Sequence, residues 1–328
     1  MNFVCEDVCM AHKAWLGVDI GGTKTAVVLA HEPPAMLTRI EFPTLPQQGP
    51  DRAIALIKQS IHEALHKTGI DKSQVGAIGV SCGGPLDQRA GVIQAPPNLS
   101  TWVDIPITAI LRDEFGLECR LENDADAGAV AENRYGAGRG TRHMVFLTMG
   151  TGLGAGIIAD GRLLRGASGQ AGEIGHVRLS PHGPVGYHKA GSVEGWASGG
   201  GMAQAAAREV QAAIQRGETT ALAAKVDKLT ARDVTEAAHH GDALAIRIIE
   251  STGHRLGEAL AILVDLLNPE RIVIGGLAMR MGETLLAPAR QTMAREALPG
   301  SAKLCEVVPA SLGEAIGDVA AICIAMGF

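Results

Sequence analysis

Two stretches of the chain carry the same pattern of apolar and small residues. Residues 16–30, LGVDIGGTKTAVVLA, and residues 145–159, VFLTMGTGLGAGIIA, align without a gap. Each is an apolar run, a glycine-containing turn and a second apolar run, which reads as a strand, a tight turn and a returning strand. The repetition predicts two related α/β halves, each offering one glycine turn to a shared cleft. Between the two stretches, Ile54, Ile57, Ile61 and Leu65 recur at helical spacing and predict a helix over about 51–68. VGAIGVS (75–81) reads as a buried strand that exits through the loop CGGPLD. Residues 91–106, with Pro96, Pro97 and Pro106, read as loop, and a helix is expected over about 107–115. A short strand at 119–121 then runs into ENDADAGAVAENRYG, helical after Asp124.

Beyond the second stretch, residues 161–201 are rich in Gly, His and Ser and show little periodicity. A segment that long without regular structure is usually functional. Helices are expected at about 202–216 and 242–267, the second stopped by Asn268-Pro269. RIVIGG (271–276) reads as a buried strand with a glycine exit, like 75–84, and a terminal helix is expected from Gly313.

Composition narrows the function. Of 328 residues, 46% are apolar and 20% charged, enough to bury the cores of two ordinary domains. The net charge of −6 argues against a general nucleic-acid binder, and aromatics at 3% argue against base stacking. Neither excludes local phosphate binding through backbone amides. No apolar run is long enough to cross a bilayer. The opening MNFVCEDVCMAHK is acidic where a secretory signal is basic, so a cytoplasmic protein is expected, with residues 1–12 a poorly ordered extension. The six cysteines form no framework and read as reduced thiols; Cys5 and Cys9 are two ligands at most, too few for zinc.

Two familiar phosphate motifs fail. A P-loop starting at Gly17 would need Lys where Thr23 stands, and a dinucleotide fingerprint at Gly150 and Gly152 would put Ala155 at its third glycine and continue as a strand. Asp19, Gly21, Gly22 and Thr23 nevertheless carry phosphate chemistry. Glycine amides approach anionic oxygens, Thr23 adds a hydroxyl, and Asp19 can hold magnesium through water. An ordinary hairpin turn is the plain reading; the second turn, Gly150-Thr151-Gly152, favours the polyphosphate one. Asp124 follows Glu122 and Asn123 at a strand-to-helix junction, where it serves either as an N-cap or as a base taking a proton from a hydroxyl. Glu173 and His176 suit either a solvated loop or the recognition of vicinal hydroxyls.

DIGGTKTAVVLA, PPNLSTW, ENDADAGAVAE, GTGLGAGI, GEIGH and GSVEGWASG occur in the order found in ROK proteins (repressor, open reading frame, kinase), and the resemblance covers about residues 14–326. It implies a two-domain actin-like and hexokinase-like α/β fold, ribonuclease H-like and duplicated, with domains at 13–126 plus 313–328 and at 127–312 and an interdomain cleft. It implies ATP-dependent phosphorylation of a hexose at its 6-hydroxyl. Glucose is the first expectation, an N-acetylhexosamine or fructose the next, and a non-catalytic sugar sensor the other class. By resemblance, Gly21, Gly22, Thr23, Thr151 and Gly152 would contact the ATP phosphates, Gly275 and Gly276 the adenosine, and Asp19 Mg2+. Asp124 would be the base, and Asn98, Asn123, Glu173, His176 and Glu194 would hold the sugar. The expected partners are sugar and ATP, with no nucleic acid or membrane, in a homodimer or homotetramer. Sugar-responsive repressors of the family carry an added helix-turn-helix module that the dozen residues before the first strand are too few to form.

One departure stands out. Most ROK kinases bind structural zinc through three cysteines of C-x-C-G-x-x-G-C-x-E and the His of GEIGH. Here Val185, Tyr187 and Ser192 replace the cysteines and His188 the first glycine, while Gly191 and Glu194 remain. Without thiolates no zinc site of the family type is expected. A substitute site using His182 and His188 is weak, and a hydrogen bond or packing around Tyr187 is an alternative means of orienting His176.

Overall fold

A computed structural model of the protein describes residues 13–328, and the chain divides into two compact units. The expected N-terminal extension, with Cys5 and Cys9, lies outside the described residues. One unit runs to Ala127 and takes back Gly317–Phe328; the other is Gly128–Ile316.

The first unit is built on β1 (Ala14–Ile20), β2 (Lys24–Ala30), β3 (Thr38–Pro43), β4 (Val75–Cys82) and β7 (Cys119–Asn123), in spatial order β3-β2-β1-β4-β7. A small ribbon, β5 (Leu86–Asp87) with β6 (Val92–Ile93), follows β4. β1, β2 and β3 are antiparallel neighbours, whereas β4 and β7 run parallel to β1. Alternation along β1 sorts its side chains between two faces. Leu16, Val18 and Ile20 enter a core with Ile57 and Ile61 of the helix Pro50–Thr68 and with Leu111 and Phe115 of the helix Ile107–Phe115. Each such fully buried side chain contributes roughly 1.5–3 kcal/mol, which fixes the helices' faces. The opposite face carries Gly17 and Asp19 and is covered by the helix Ile316–Met326. Gly17 and its neighbour across the strands, Gly79, let this helix lie against the sheet itself: a methyl at Gly79 would sit 2.1 Å from the carbonyl oxygen of Ala321.

The second unit repeats the arrangement with β8 (Met144–Met149), β9 (Leu153–Ala159), β10 (Arg162–Leu163), β13 (Arg271–Gly276) and β14 (Glu306–Pro309) in the order β10-β9-β8-β13-β14. The strand directions match: β10, β9 and β8 antiparallel, β13 and β14 parallel to β8. The duplication seen in the sequence is therefore a duplication of topology. The hairpins differ by one residue. Ile20 pairs with Thr25 across Gly21–Lys24, whereas Met149 pairs with Leu153 across Gly150–Gly152. The core is closed by the helices Gly199–Gln215, Ala243–Leu267 and Glu283–Glu296. The region 161–201, expected to be irregular, holds a second ribbon, β11 (Val185–Gly186) with β12 (Lys189–Ala190), and the short helix Val193–Ala197. The expected terminal helix begins with a 3-10 turn at Gly313–Ala315 and becomes α-helical from Ile316. Among the described residues, Cys82, Cys119 and Cys305 are free thiols, and no helix is long and apolar enough to cross a membrane.

Candidate functional site

In the first unit, the turn after β1 closes through the Gly21 N–H, which donates to Lys24 O at 3.0 Å. Thr44 clamps it from the side. Its hydroxyl donates to Gly21 O at 2.7 Å, and its N–H to Thr23 O at 3.1 Å. Both carbonyls are thus satisfied from one side of the turn. Gly22 lies against Asn98; a methyl there would sit 2.7 Å from Asn98 Cβ. Asn98 is carried by the 3-10 turn Pro97–Leu99, anchored by the fully buried Leu99 and Trp102. Trp102 accepts from Ala95 N–H at its carbonyl and donates its N–H to Leu99 O, both at 2.8 Å.

The same small volume receives Asp124 and Asn123. A methyl on Gly83 would be 3.8 Å from both Asn98 Oδ1 and Asp124 Oδ2, and one on Gly84 would be 3.3 Å from Asn123 Nδ2. Asp124 opens the helix Asp124–Tyr135. The Ala125 N–H donates to Asn123 Oδ1 at 2.9 Å and to Asp124 Oδ1 at 2.8 Å, leaving Asp124 Oδ2 directed elsewhere. Cap and open carboxylate are therefore compatible readings of one residue. Protein packed around Asp124 raises its pKa by desolvation, against the lowering effect of the backbone N–H bonds. Its residue surface remains exposed, so the rise is tempered by water.

Asp19 sits on the face of β1 that meets the terminal helix. A methyl on Gly317 would fall 2.1 Å from Asp19 Oδ2, so only glycine leaves room for this carboxylate. Its pKa is pushed up to about 7, first by burial, then by the charges of Asp124 and Asp318, against Lys24 and Arg39. Arg39 Nε pairs with Asp318 at 2.7 Å, and Glu41 accepts from Arg39 at 2.6 Å and pairs with Lys24 at 3.0 Å. Thr44, Gly83, Gly84, Gly317 and Asp318 were not singled out by sequence. The glycine exit of 75–84 was a signal for two of them; the others become neighbours only in the fold.

The raised pKa of Asp19 has a sign that can be measured. The unfolded carboxyl ionises near its ordinary value of 3.8, the folded one near 7. Below about pH 4 both states are protonated. As pH rises towards 7 the unfolded state loses its proton first, and the stability contributed by the protonated native form is lost. Asp19→Asn should therefore match wild type in melting temperature near pH 4. Its advantage should grow to a plateau above pH 7, worth at most about 4 kcal/mol. Scanning calorimetry from pH 4 to 8, without nucleotide or magnesium, reads this; a pH-independent difference would contradict it.

In the second unit, the turn Gly150–Gly152 closes through Gly150 N–H donating to Gly152 O at 3.0 Å. Its outward carbonyls are taken by the start of the helix Gly199–Gln215, with Gly199 N–H on Gly150 O at 2.8 Å and Gly200 N–H on Thr151 O at 3.1 Å. Thr151, Gly200, Gly275 and Gly276 line a cavity of about 830 Å³, with Arg232 and Glu314 on its wall. Thr151, Gly275 and Gly276, singled out separately in the sequence, thus meet in one place. Gly152 lies beside Glu194, whose Oε2 accepts from Leu153 N–H at 3.1 Å. Gly175 presses on Leu153 O. It brings the 3-10 turn Ile174–His176 to the same hairpin, with Glu173 and His176 exposed.

The positions expected of a zinc ligand set do not fit zinc. Ser192 is an N-cap, accepting from Gly195 N–H, and Tyr187 and His188 are the left-handed turn residues of the β11–β12 ribbon, with φ of 36° and 63°. Among the described residues, no three His, Cys, Asp or Glu side chains come together to hold a metal ion. The His176 ring instead meets the Tyr187 ring edge-on, with centroids 6.2 Å apart.

Two sheets of identical strand order, each with a glycine hairpin turn, define a duplicated, actin-like α/β fold. The chain belongs to the ROK family, whose sequence profile matches residues 15–327. It is 37% identical to a glucokinase of Halalkalibacterium halodurans over 94% of both chains. It is 33% identical to an N-acetylmannosamine kinase of Citrobacter koseri, over 86% of this chain and 89% of that one. A ROK family glucokinase from Streptomyces griseus, solved in complex with glucose and AMPPNP, superposes with a TM-score of 0.78 at 31% identity, covering 96% of this chain and 100% of that one.

Proposed function

We propose that the protein is an ATP-dependent hexose kinase that phosphorylates the 6-hydroxyl of a glucose-like sugar. The observation that carries this reading is the convergence of Asn98, Asn123 and an open Asp124 carboxylate beside the Gly22 turn. A polar cluster with one unsatisfied carboxylate oxygen suits a polyol whose hydroxyl must lose a proton. Asp124 is the general base. Asn98, Asn123, Glu173, His176 and Glu194 bind the remaining hydroxyls, as donors or acceptors according to their chemistry.

The cavity containing Thr151, Gly275 and Gly276 takes the nucleotide, with the adenosine near the two glycines and the phosphates near Thr151 and Gly152. Gly21, Gly22 and Thr23 complete the phosphate contacts, because amide N–H groups freed of side chains approach anionic oxygens. Asp19 has the hard oxygen donor that magnesium prefers, and magnesium would neutralise phosphate charge during transfer. The enzyme is expected to act in the cytoplasm as a homodimer or homotetramer.

The N-acetylmannosamine kinase relative favours a second substrate class, an N-acetylhexosamine, and the same experiment separates them. ADP release is followed with ATP and magnesium against glucose, mannose, fructose, glucosamine, N-acetylglucosamine and N-acetylmannosamine. Glucose should give the largest kcat/KM. Preference for an N-acetylated sugar would replace the substrate while keeping the reaction. Sugar binding without any ADP release would leave a sensor and defeat the kinase reading.

A further inference from the structure

The segment between His176 and Glu194 is a closed lasso. Beyond His176 the chain pairs with the stretch that leads into Glu194. Val193 N–H donates to Val177 O at 2.8 Å, Leu179 N–H to Gly191 O at 2.9 Å, and Arg178 bridges Ser192. His176 and Glu194 therefore stand at the foot of two bridged stretches of chain, and anything that fixes the pair fixes their separation. At the far end lies the β11–β12 ribbon, whose turn residues Tyr187 and His188 both have left-handed backbones. Neither is glycine, so the turn itself is strained and must be over-determined by its surroundings.

Three side chains supply that restraint. Gln204, on the helix Gly199–Gln215, grips the ribbon with both ends of its amide. Val185 N–H donates to Gln204 Oε1 at 3.0 Å, and Gln204 Nε2 donates to Val185 O at 2.9 Å. Ser192, fully buried, donates to Lys189 O and accepts from Gly195 N–H, each at 3.1 Å. Lys189 Nζ reaches back to donate to His176 O at 2.8 Å. The helix that bears Gln204 is the one whose first amides hold the carbonyls of Gly150 and Thr151.

We infer that Gln204, Ser192 and Lys189 are positioning residues that hold the His176–Glu194 lasso in binding geometry without any metal, and that Gln204 ties it to the turn at Gly150–Gly152. None of the three need touch substrate. The inference rests on the sugar-kinase reading for what the lasso binds, but not for what holds it. Each restraint is a hydrogen bond or a pair of them, modest in net effect, so losing Gln204's pair should loosen the lasso rather than unfold the protein.

The test compares wild type with Gln204→Ala, Lys189→Ala and Lys189→Arg. Gln204→Ala keeps a good helix former on the helix surface, so folding should survive. Amide exchange at residues 185–190 should quicken about tenfold in Gln204→Ala. KM for the sugar should rise about tenfold in both alanine variants, with kcat and KM for ATP within about twofold of wild type. Lys189→Arg, which keeps a donor, should restore most of the sugar KM. Wild type treated with phenanthroline should keep its sugar KM. Unchanged exchange in Gln204→Ala, an unchanged sugar KM, or stoichiometric zinc in native mass spectra would each overturn the inference. Failure of wild type to turn over any sugar would strike the kinase reading instead, and the exchange arm would still decide whether Gln204 holds the ribbon.

Discussion

Asp124→Asn is expected to lower kcat for the preferred sugar by a factor of about 10² to 10⁴, with little change in sugar affinity and no loss of melting temperature. The rate effect follows from removing a positioned base during proton transfer from the acceptor hydroxyl. Affinity should persist because asparagine keeps the oxygen that accepts from Ala125 N–H and the shape of the group beside Asn98. The stability effect runs opposite to that of most charge deletions. Protein packed around Asp124 disfavours its ionised form, tempered by the water its exposed surface meets, so its pKa in the folded protein is raised. At neutral pH that cost falls on the native state, and a neutral amide relieves it. The same shift predicts that wild-type kcat/KM falls as pH drops through the raised pKa of Asp124, whereas the residual activity of the variant lacks that limb. Steady-state rates over pH 5 to 8, with calorimetry alongside, read all three quantities. A variant retaining more than about a tenth of wild-type kcat would remove Asp124 from the role of base.

Gly79→Ala should produce a large stability loss in the first unit. The new Cβ would lie 2.1 Å from Ala321 O and 2.3 Å from Ala325 N, both backbone atoms of one helix that cannot step aside separately. Overpacking of this kind costs about 3 kcal/mol, and a fall of about 10 °C in melting temperature is expected. The matching control is Gly300→Ala, where a methyl meets nothing within 4 Å. At that helical position alanine should be neutral or stabilising by up to about 1 kcal/mol. Equal effects at the two positions would show that the terminal helix does not rest on β4 as described.

These contacts also mark where the sequence stops being informative. β1, β2, β8, β9 and β13 are buried on both faces, so each reads as a nearly unbroken apolar run, and the glycine turns between them are visible by eye. β3 is an edge strand whose TRIEFP alternates only half-buried and exposed positions, and β14 is four residues long, so neither stands out. The helix Glu283–Glu296 is hidden by Pro288 within it; the ring is accommodated because Gly253 of the facing helix offers no side chain against it. Candidate residues that lie at glycine turns or strand ends, such as Gly22, Asp124 and Thr151, were legible because the local chemistry is unusual there. Thr44, Gly317 and Asp318 were not. Each acts on the candidate site only through contacts made across long stretches of chain, and a lone threonine or aspartate carries no pattern. The β11–β12 turn was illegible for a further reason: its left-handed residues are tyrosine and histidine, not the glycine or asparagine that announce such a conformation.

The helix that covers β1 and β4 is drawn from residues that follow the whole of the second unit in the chain. During synthesis, β1, β2, β3, β4 and β7 leave the ribosome early, yet the face bearing Gly17, Asp19 and Gly79 has nothing to lie on it until residues 317–328 are made. The second unit, by contrast, is a single continuous segment that can complete its core as soon as Ile316 has emerged. The order of translation is thus the reverse of the order of completion. The half that is made first waits, half-covered, for the half that is made second, and a ribosome stalled before Gly317 would release a chain with one finished unit and one exposed sheet.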